Sequence, residues 1–366
     1  MEIEAAVLRE YGDTLSVESL TLSDPKENEV MVRIVASGVC RSDVSFMHGL
    51  WPAPLPMVLG HEGAGIIEKA GPGVDPRRVG DKVILTFSPP CGHCRFCQAG
   101  RGNLCEVAAR CEEAGSLRDG TSRLASGRNR VYHLGSVSSF ATYAVVPAEG
   151  AITVGDDVDL SLGCLIGCGL TTGVMSVIKR ANVRPGDSVA VFGCGGVGLS
   201  AIEGARLVSA YPVIAVDPVR KKRELAERLG ATHTIDPEEG EVVSQVRTIM
   251  ARGVDFAFDA LGDPEVQRQA FGVTARGGTM VLVGQAARGV DACFPDWELT
   301  QYEQTILGSN LGGAIPALDF PRLANLLTLG KIDLASLVTH RLTLHEINEA
   351  VRILQTGDAG RIVIEM

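Results

Sequence analysis

Four cysteines fall within fifteen residues, as Cys91-x2-Cys94-x2-Cys97-x7-Cys105. Thiolates at that density are ligands for one tetrahedral ion. Four of them fill its coordination sphere, so the site is structural and closed to chemistry. The two-residue spacings let neighbouring cysteines turn back onto the same ion. An iron–sulfur cluster and four unligated thiols are the other readings. Structural zinc is the expectation, with Cys111 outside the ligand set.

A second set of ligand types is scattered. Gly38-Val39-Cys40-Arg41-Ser42-Asp43, Gly60-His61-Glu62-Gly63-Ala64-Gly65 and Cys164-Leu165-Ile166-Gly167-Cys168-Gly169 each carry one or two. Cys40, His61 and one cysteine of the last pair would leave a fourth position vacant, as in a catalytic zinc site. Each signal alone is weak. A lone histidine is more often a hydrogen-bonded core residue, and a lone cysteine a small hydrophobe.

A third pattern reads as a phosphate cradle. Val189–Phe192 runs into Gly193-Cys194-Gly195-Gly196-Val197-Gly198, and a helical pattern follows. The first glycine makes the turn, the second admits the pyrophosphate, and the third lets helix pack on strand. Cys194 reads as a small side chain that fits. Asp217 ends the next strand, where a carboxylate accepts from ribose hydroxyls and repels a 2′-phosphate, so NAD is expected over NADP. The run Arg220-Lys221-Lys222-Arg223 could meet a 2′-phosphate. It reads better as the solvated start of an amphipathic helix, with one member near the adenine.

These residues need elements to position them. The first part is β-rich, with candidate strands Ile3–Leu8, Val30–Val39, Val58–Glu68 and Val83–Leu85. Cys91 to Gly135 reads as a long irregular loop that a metal would hold. From about Val183, strands and helices alternate. The strands are Ser188–Phe192, Val213–Asp217, Thr232–Asp236, Val254–Asp259, Thr279–Val283 and Thr305–Gly308; the helices include Arg220–Leu229 and Glu241–Met250. That alternation predicts an α/β fold with a doubly wound parallel six-stranded sheet, a Rossmann domain. After Gly313, two helices near Leu318–Leu329 and His345–Leu354 lead to a strand, Arg361–Glu365, which should rejoin the first domain. The expected domains are 1–169, 170–312 and the returning 313–366.

Composition removes other classes. The 366 residues suit two domains. The net charge of −10 gives no reason to bind nucleic acid or an anionic membrane. The uncharged run Ser161–Ile178 holds glycines and hydroxyls and reads as buried structure, not a span. The acidic N-terminus lacks a signal-peptide pattern, so a cytoplasmic protein is expected. Its ten cysteines should then be thiols or ligands, not disulfides.

Taken together, the sequence resembles the zinc-containing medium-chain alcohol dehydrogenases, whose established catalytic ligand set is two cysteines and a histidine. Gly60-His61-Glu62-x2-Gly65-x5-Gly71-x2-Val74 matches the family's zinc motif. The cysteine spacing matches too, and CLIGCGLTTG at 164–173 and the glycine loop follow in the family's order. The resemblance spans essentially the whole chain. The loop before Asp119-Gly120-Thr121-Ser122-Arg123 is similar to the long-loop branch, which includes animal liver, glutathione-dependent formaldehyde and aryl-alcohol dehydrogenases.

The resemblance implies a GroES-like catalytic domain beside the Rossmann domain and two zinc ions per chain. Cys168 becomes the third catalytic ligand and Cys164 packing. Glu62 becomes a carboxylate able to approach the zinc, and Asp43 the holder of the His61 ring. Arg41 and Arg361 would clamp the pyrophosphate, and Lys222 and Val283 would join Gly193, Gly195, Gly196, Val197, Gly198 and Asp217 around NAD. Ser42 would take the substrate's proton. Many relatives end this relay on a histidine where this chain has Ser45; His48 is near in sequence. Trp51, Phe87, Phe140, Gln285 and Asn310 would line the pocket.

The expected reaction is oxidation of medium-chain or aromatic primary alcohols with NAD by a homodimer joined near Thr305–Leu311, with a homotetramer as the other assembly. The alternatives are a thiol-dependent formaldehyde dehydrogenase and an NAD(P)H-dependent C=C or C=N reductase. The formaldehyde branch carries an arginine where this chain has Ala109, with Arg110 next to it. Retention of Ser42, Cys40, His61 and Cys168 argues against the reductase, and a complete open site argues against a merely structural binding protein.

Overall fold

A computed structural model describes residues 1–357 and 359–366. The chain divides into two compact units, Met1–Cys168 with Ile315–Met366, and Gly169–Ala314. The expected breaks stood at 169/170 and 312/313.

In the first unit, Glu2–Leu8, Ser16–Leu22, Leu124–Ser126, Asn129–His133 and Met57–Val58 close a small barrel. A seven-stranded sheet adjoins it, running Ala151–Thr153, Lys82–Leu85, Glu62–Ala70, Glu29–Val39, Arg361–Glu365, Val338–Thr343, with Tyr143–Pro147 also paired to Glu29–Val39. Glu29–Val39 is buried along nearly its whole length, as a strand covered on both faces must be. Ile362 and Ile364 of the returning strand enter the same core as Ala6, Leu8, Val39 and Ile347. Full burial of such an aliphatic side chain contributes roughly 1.5–3 kcal/mol.

The stretch 91–135 is more structured than its composition predicts. It contains the helices Arg95–Gln98 and Glu106–Ala114 and a hairpin, Leu124–Ser126 to Asn129–His133, turned at Gly127 (φ 60°). Its weak periodicity hid these elements because local contacts stabilise them: the Cys105 sulfur caps the second helix by accepting from Ala108 N–H. Arg123 fastens the segment to the sheet. It is fully buried and donates to both Glu29 carboxylate oxygens, at 2.8 and 2.5 Å.

The second unit is a parallel sheet ordered His233–Ile235, Val213–Val216, Val189–Phe192, Val254–Asp259, Thr274–Leu282, Thr305–Gly308. The strands VAVF and VIAV are wholly buried, the mark of a sheet covered by helices on both faces. The apolar run 161–178 is broken into short helical pieces by Cys168 (φ −143°, ψ −77°). No single helix among the described residues is long and apolar enough to cross a membrane.

Candidate active site

Three strand ends meet in the first unit. Glu29–Val39 pairs antiparallel with Glu62–Ala70, with Gly38 opposite Glu62. Cys40 follows the first strand and His61 precedes the second, so register alone brings them together. Arg361–Glu365 lies on the other side of Glu29–Val39, with Ile362 opposite Val39, and this sets Arg361 beside the same spot. The donor atoms of Cys40, His61, Glu62 and Cys168 all lie within 4.8 Å of one another. Cys164 is buried but outside this group, and burial pushes its thiol up.

Asp43 organises the ligands. Its Oδ1 accepts from the backbone N–H of Gly60 (3.2 Å) and sits 3.0 Å from His61 Nδ1; its Oδ2 accepts from Cys40 N–H (3.0 Å). A carboxylate on Nδ1 keeps the proton there and leaves Nε2 as the donor to a metal. The Cys40 thiol is held well below its usual value, first by its hydrogen bond with Cys168 and then by His61 and Arg361. Burial pushes His61 down, but Asp43 and Cys40 outweigh it and hold the imidazole well above its usual value. Two soft sulfurs and a pre-oriented imidazole are the donor chemistry zinc selects.

Glu62 is the fourth member. Burial raises its carboxyl to about 7, against the pull of Arg361. Arg361 is itself buried and bound to Glu62 through Nη2, while its Nε has no hydrogen-bond partner among the described residues. A Cβ at Gly38 would collide with the Glu62 carboxylate and Leu165. Gly38 is thus a requirement of the site that sequence reading missed, and only its pairing with Glu62 exposes it.

Ser42 is half-buried, with Oγ 3.7 Å from Cys40 Sγ. Ser45 donates to the Arg41 carbonyl at 3.2 Å, and His48 is exposed with Nε2 3.0 Å from Gln355 Nε2. Arg41 is exposed at the start of the short helix Arg41–Met47, which also carries Ser42 and Ser45. Phe87 stands edge-on to the His61 ring at 5.7 Å, and Trp51 edge-on to Phe46 at 5.5 Å. Phe140 has no exposed surface and belongs to the core beneath Gly60, so the structure gives it packing to do.

The cysteine lobe is a separate cluster. Cys91, Cys94, Cys97 and Cys105 bring their sulfurs within 4.8 Å of each other, and Cys91 and Cys97 lie 3.9 Å apart. Zinc–sulfur bonds near 2.3 Å in a tetrahedron separate sulfurs by about 3.8 Å, so the spacing fits that ion. Backbone N–H groups of Cys97 and Glu106 pull Cys94 down to about 6, while burial pushes Cys97 up to about 12. Cys111 is not among the four.

In the second unit the glycine loop has the geometry its sequence requires. Gly193 takes φ +89°, and a Cβ at Gly198 would strike the Gly193 carbonyl. A Cβ at Gly195 would meet nothing within 4 Å. That open face lies at the start of the twelve-residue helix Gly196–Leu207, which has no side-chain cap. Uncapped N–H groups and the helix dipole suit a pyrophosphate there. Asp217 Oδ2 accepts from Cys194 N–H and Oδ1 from Val219 N–H, both at 2.8 Å. Lys222 is half-buried on the following helix and Val283 buried after Thr274–Leu282. Gln285 and Asn310 are exposed.

Comparison with known proteins agrees with this geometry. Residues 26–156 match the alcohol dehydrogenase GroES-like domain, and residues 196–328 match the zinc-binding dehydrogenase domain. An S-(hydroxymethyl)glutathione dehydrogenase of Synechocystis sp. is 37% identical, with 100% of each chain covered. The chain belongs to the zinc-containing medium-chain alcohol dehydrogenases. Among solved members of this family, a zinc-binding-domain alcohol dehydrogenase from Burkholderia ambifaria superposes with a TM-score of 0.96 at 36% identity, over 100% of this chain and 99% of that one. The benzyl alcohol dehydrogenase of Acinetobacter calcoaceticus gives 0.95 at 34% identity, with the same coverage.

Proposed function

We propose that this family member is an NAD-linked dehydrogenase of a primary hydroxyl group. The convergence of Cys40, His61 and Cys168, with Asp43 behind the imidazole, carries the reading. When bound there, zinc supplies a Lewis acid that lowers the pKa of a hydroxyl at its open position. The chain's own groups do the rest. Asp43 fixes the imidazole, Ser42 offers a hydroxyl to receive a proton, and Arg361 tethers Glu62. With no histidine at position 45, the proton passes from Ser42 to solvent. In the second unit, Gly193–Gly198 receives the pyrophosphate and Asp217 the adenosine ribose. Arg41 and the free Nε of Arg361 are the guanidinium donors for the phosphates, with Lys222 near the ribose and Val283 beside the nicotinamide. The four-cysteine lobe holds a second, structural zinc.

Two substrates fit this chemistry. The names of full-length relatives favour S-(hydroxymethyl)glutathione, the adduct of formaldehyde and glutathione. Ala109 stands where that branch carries an arginine, and the exposed Arg110 next to it is the available cation for a glutathione carboxylate. Medium-chain or aromatic primary alcohols are the second reading, supported by Phe87 against His61, by Trp51 and by the benzyl alcohol dehydrogenase neighbour. Gln285 and Asn310 are further pocket candidates. NADH formation at 340 nm tests both, with NAD and either formaldehyde plus glutathione, benzyl alcohol or hexanol. Turnover should vanish in Cys40→Ser, and formaldehyde without glutathione should be a poor substrate under the first reading. Silence with every substrate, with zinc and NAD bound, would refute the proposal. The stretch Thr305–Leu311, which includes the edge strand Thr305–Gly308, is the expected dimer seam; light scattering showing a monomer would refute that.

A further inference from the structure

The basic run at 220–223 has one member that is tied into the fold by an ion pair to the next strand end. Arg223 lies in the first turn of Arg220–Leu229. Its Nη1 donates to the backbone carbonyls of Asp217 (2.7 Å) and Pro218 (2.8 Å), and its Nη2 lies 2.8 Å from Asp236 Oδ2. Both side chains are only 14% exposed. Asp236 is anchored in turn. It follows the strand His233–Ile235, its Oδ1 accepts from Glu238 N–H, and its carbonyl accepts from Gln245 Nε2. Asp217 N–H donates to the Ile235 carbonyl beside it. One guanidinium therefore ties the turn that carries Asp217 to the next strand of the sheet. The neighbouring cations are less constrained: Arg220 pairs with Glu224 at the surface, and Lys221 is exposed.

A guanidinium this near the adenosine-ribose carboxylate is the group that elsewhere accommodates a 2′-phosphate. Here both Nη1 donors face carbonyls and Nη2 is held against a carboxylate, so three of the five N–H groups are engaged. To read a phosphate, Arg223 would have to leave a largely buried ion pair and abandon Asp236, which is costly. We propose that the Arg223–Asp236 pair is a cofactor-selecting clasp. It withholds the guanidinium from a 2′-phosphate and holds the 217–219 turn so that Asp217 can accept from a 2′-hydroxyl. Asp236, which follows the next strand of the sheet and acts through Arg223, is thereby a specificity-determining positioning residue. The proposal rests on the NAD reading of Gly193–Gly198 and Asp217.

The test is equilibrium binding to the whole protein by titration calorimetry, with AMP and 2′,5′-ADP as probes of the adenosine end. The wild type should prefer AMP. In Asp236→Asn, the released guanidinium should strengthen 2′,5′-ADP about tenfold and weaken AMP severalfold. Adding Arg223→Leu should remove the gain in 2′,5′-ADP. If Asp236→Asn fails to fold, Arg223→Leu alone serves: it should weaken AMP without strengthening 2′,5′-ADP. An unmoved ratio of the two affinities in Asp236→Asn overturns the clasp, as does a gain that survives loss of Arg223 or an Arg223→Leu protein that binds AMP normally. A wild type that prefers 2′,5′-ADP overturns the NAD reading instead.

Discussion

The two sulfur-rich sites of the first unit are built on opposite plans. The lobe draws four candidate ligands from fifteen consecutive residues, and three of its cysteines are only half-buried. The open site draws three candidate ligands from three separate segments, the last more than a hundred residues beyond the other two, buries all of them, and surrounds them with Asp43, Glu62 and Arg361. A closed site needs only its ligands, which backbone turns supply. An open site must keep three ligands rigid while the fourth position stays available, and that takes carboxylates and a guanidinium held by the sheet.

Variants can break or sharpen this contrast. The largest effect on turnover is expected for Cys40→Ser, which should lower kcat/KM by about a thousandfold or more. Bound zinc should fall by one ion per chain while the melting temperature stays nearly unchanged. Equal loss of stability and turnover would mean that the open site is structural as well. Ser42→Ala follows, with kcat reduced about a hundredfold as expected for loss of a proton acceptor, and KM little altered. A wild-type rate in this variant would show that the proton leaves by another route.

Asp43→Asn comes third, costing about ten- to a hundredfold in zinc affinity or activity, as for other groups that orient a ligating histidine. Competition with a chelator measures it directly. The mirror-image result belongs to the lobe. Cys94→Ser should leave kcat within about a fewfold but lower the melting temperature by about 2–4 °C per kcal/mol lost. A lobe variant that loses turnover at full stability would erase the distinction between the two plans.

The smallest effect on turnover is expected at His133. It is buried, its Nε2 accepts from Arg123 N–H, and its Nδ1 has no partner among the described residues. Burial, then Arg123 and Arg130, lowers it to about 3. The folded state prefers the neutral ring, so this contribution to stability is complete above the unfolded value near 6.5 and is lost as pH falls towards 3. Thermal melts from pH 7 to 4 should show a steeper acid decline for the wild type than for His133→Gln.

The contrast also explains what was legible in the sequence. The lobe and the glycine loop are local patterns, and spacing was enough to find them. The open site needed the family resemblance to choose Cys168 over Cys164, because only strand register brings Cys40 to His61. The Glu62–Arg361 pair spans almost the whole chain, and nothing local marks it. The role of Gly38 depends on the residue across the sheet. The helix Glu106–Ala114 was missed because its nine residues are steadied by a sulfur cap and not by a strong apolar stripe. Phe140 was read as a pocket wall, yet its ring is enclosed behind the histidine strand.

The chain leaves the first unit at Cys168 and re-enters it at Ile315. The strand Arg361–Glu365 then fits between Glu29–Val39 and the edge strand Val338–Thr343. On a ribosome, the partner of residues 36–39 therefore emerges long after they do. The second unit is one continuous stretch and can close while the first still waits with an apolar strand edge exposed. Such an edge is what chaperones bind and what aggregates when they fail. The order of synthesis thus favours a finished second unit before Arg361 arrives beside the buried cluster.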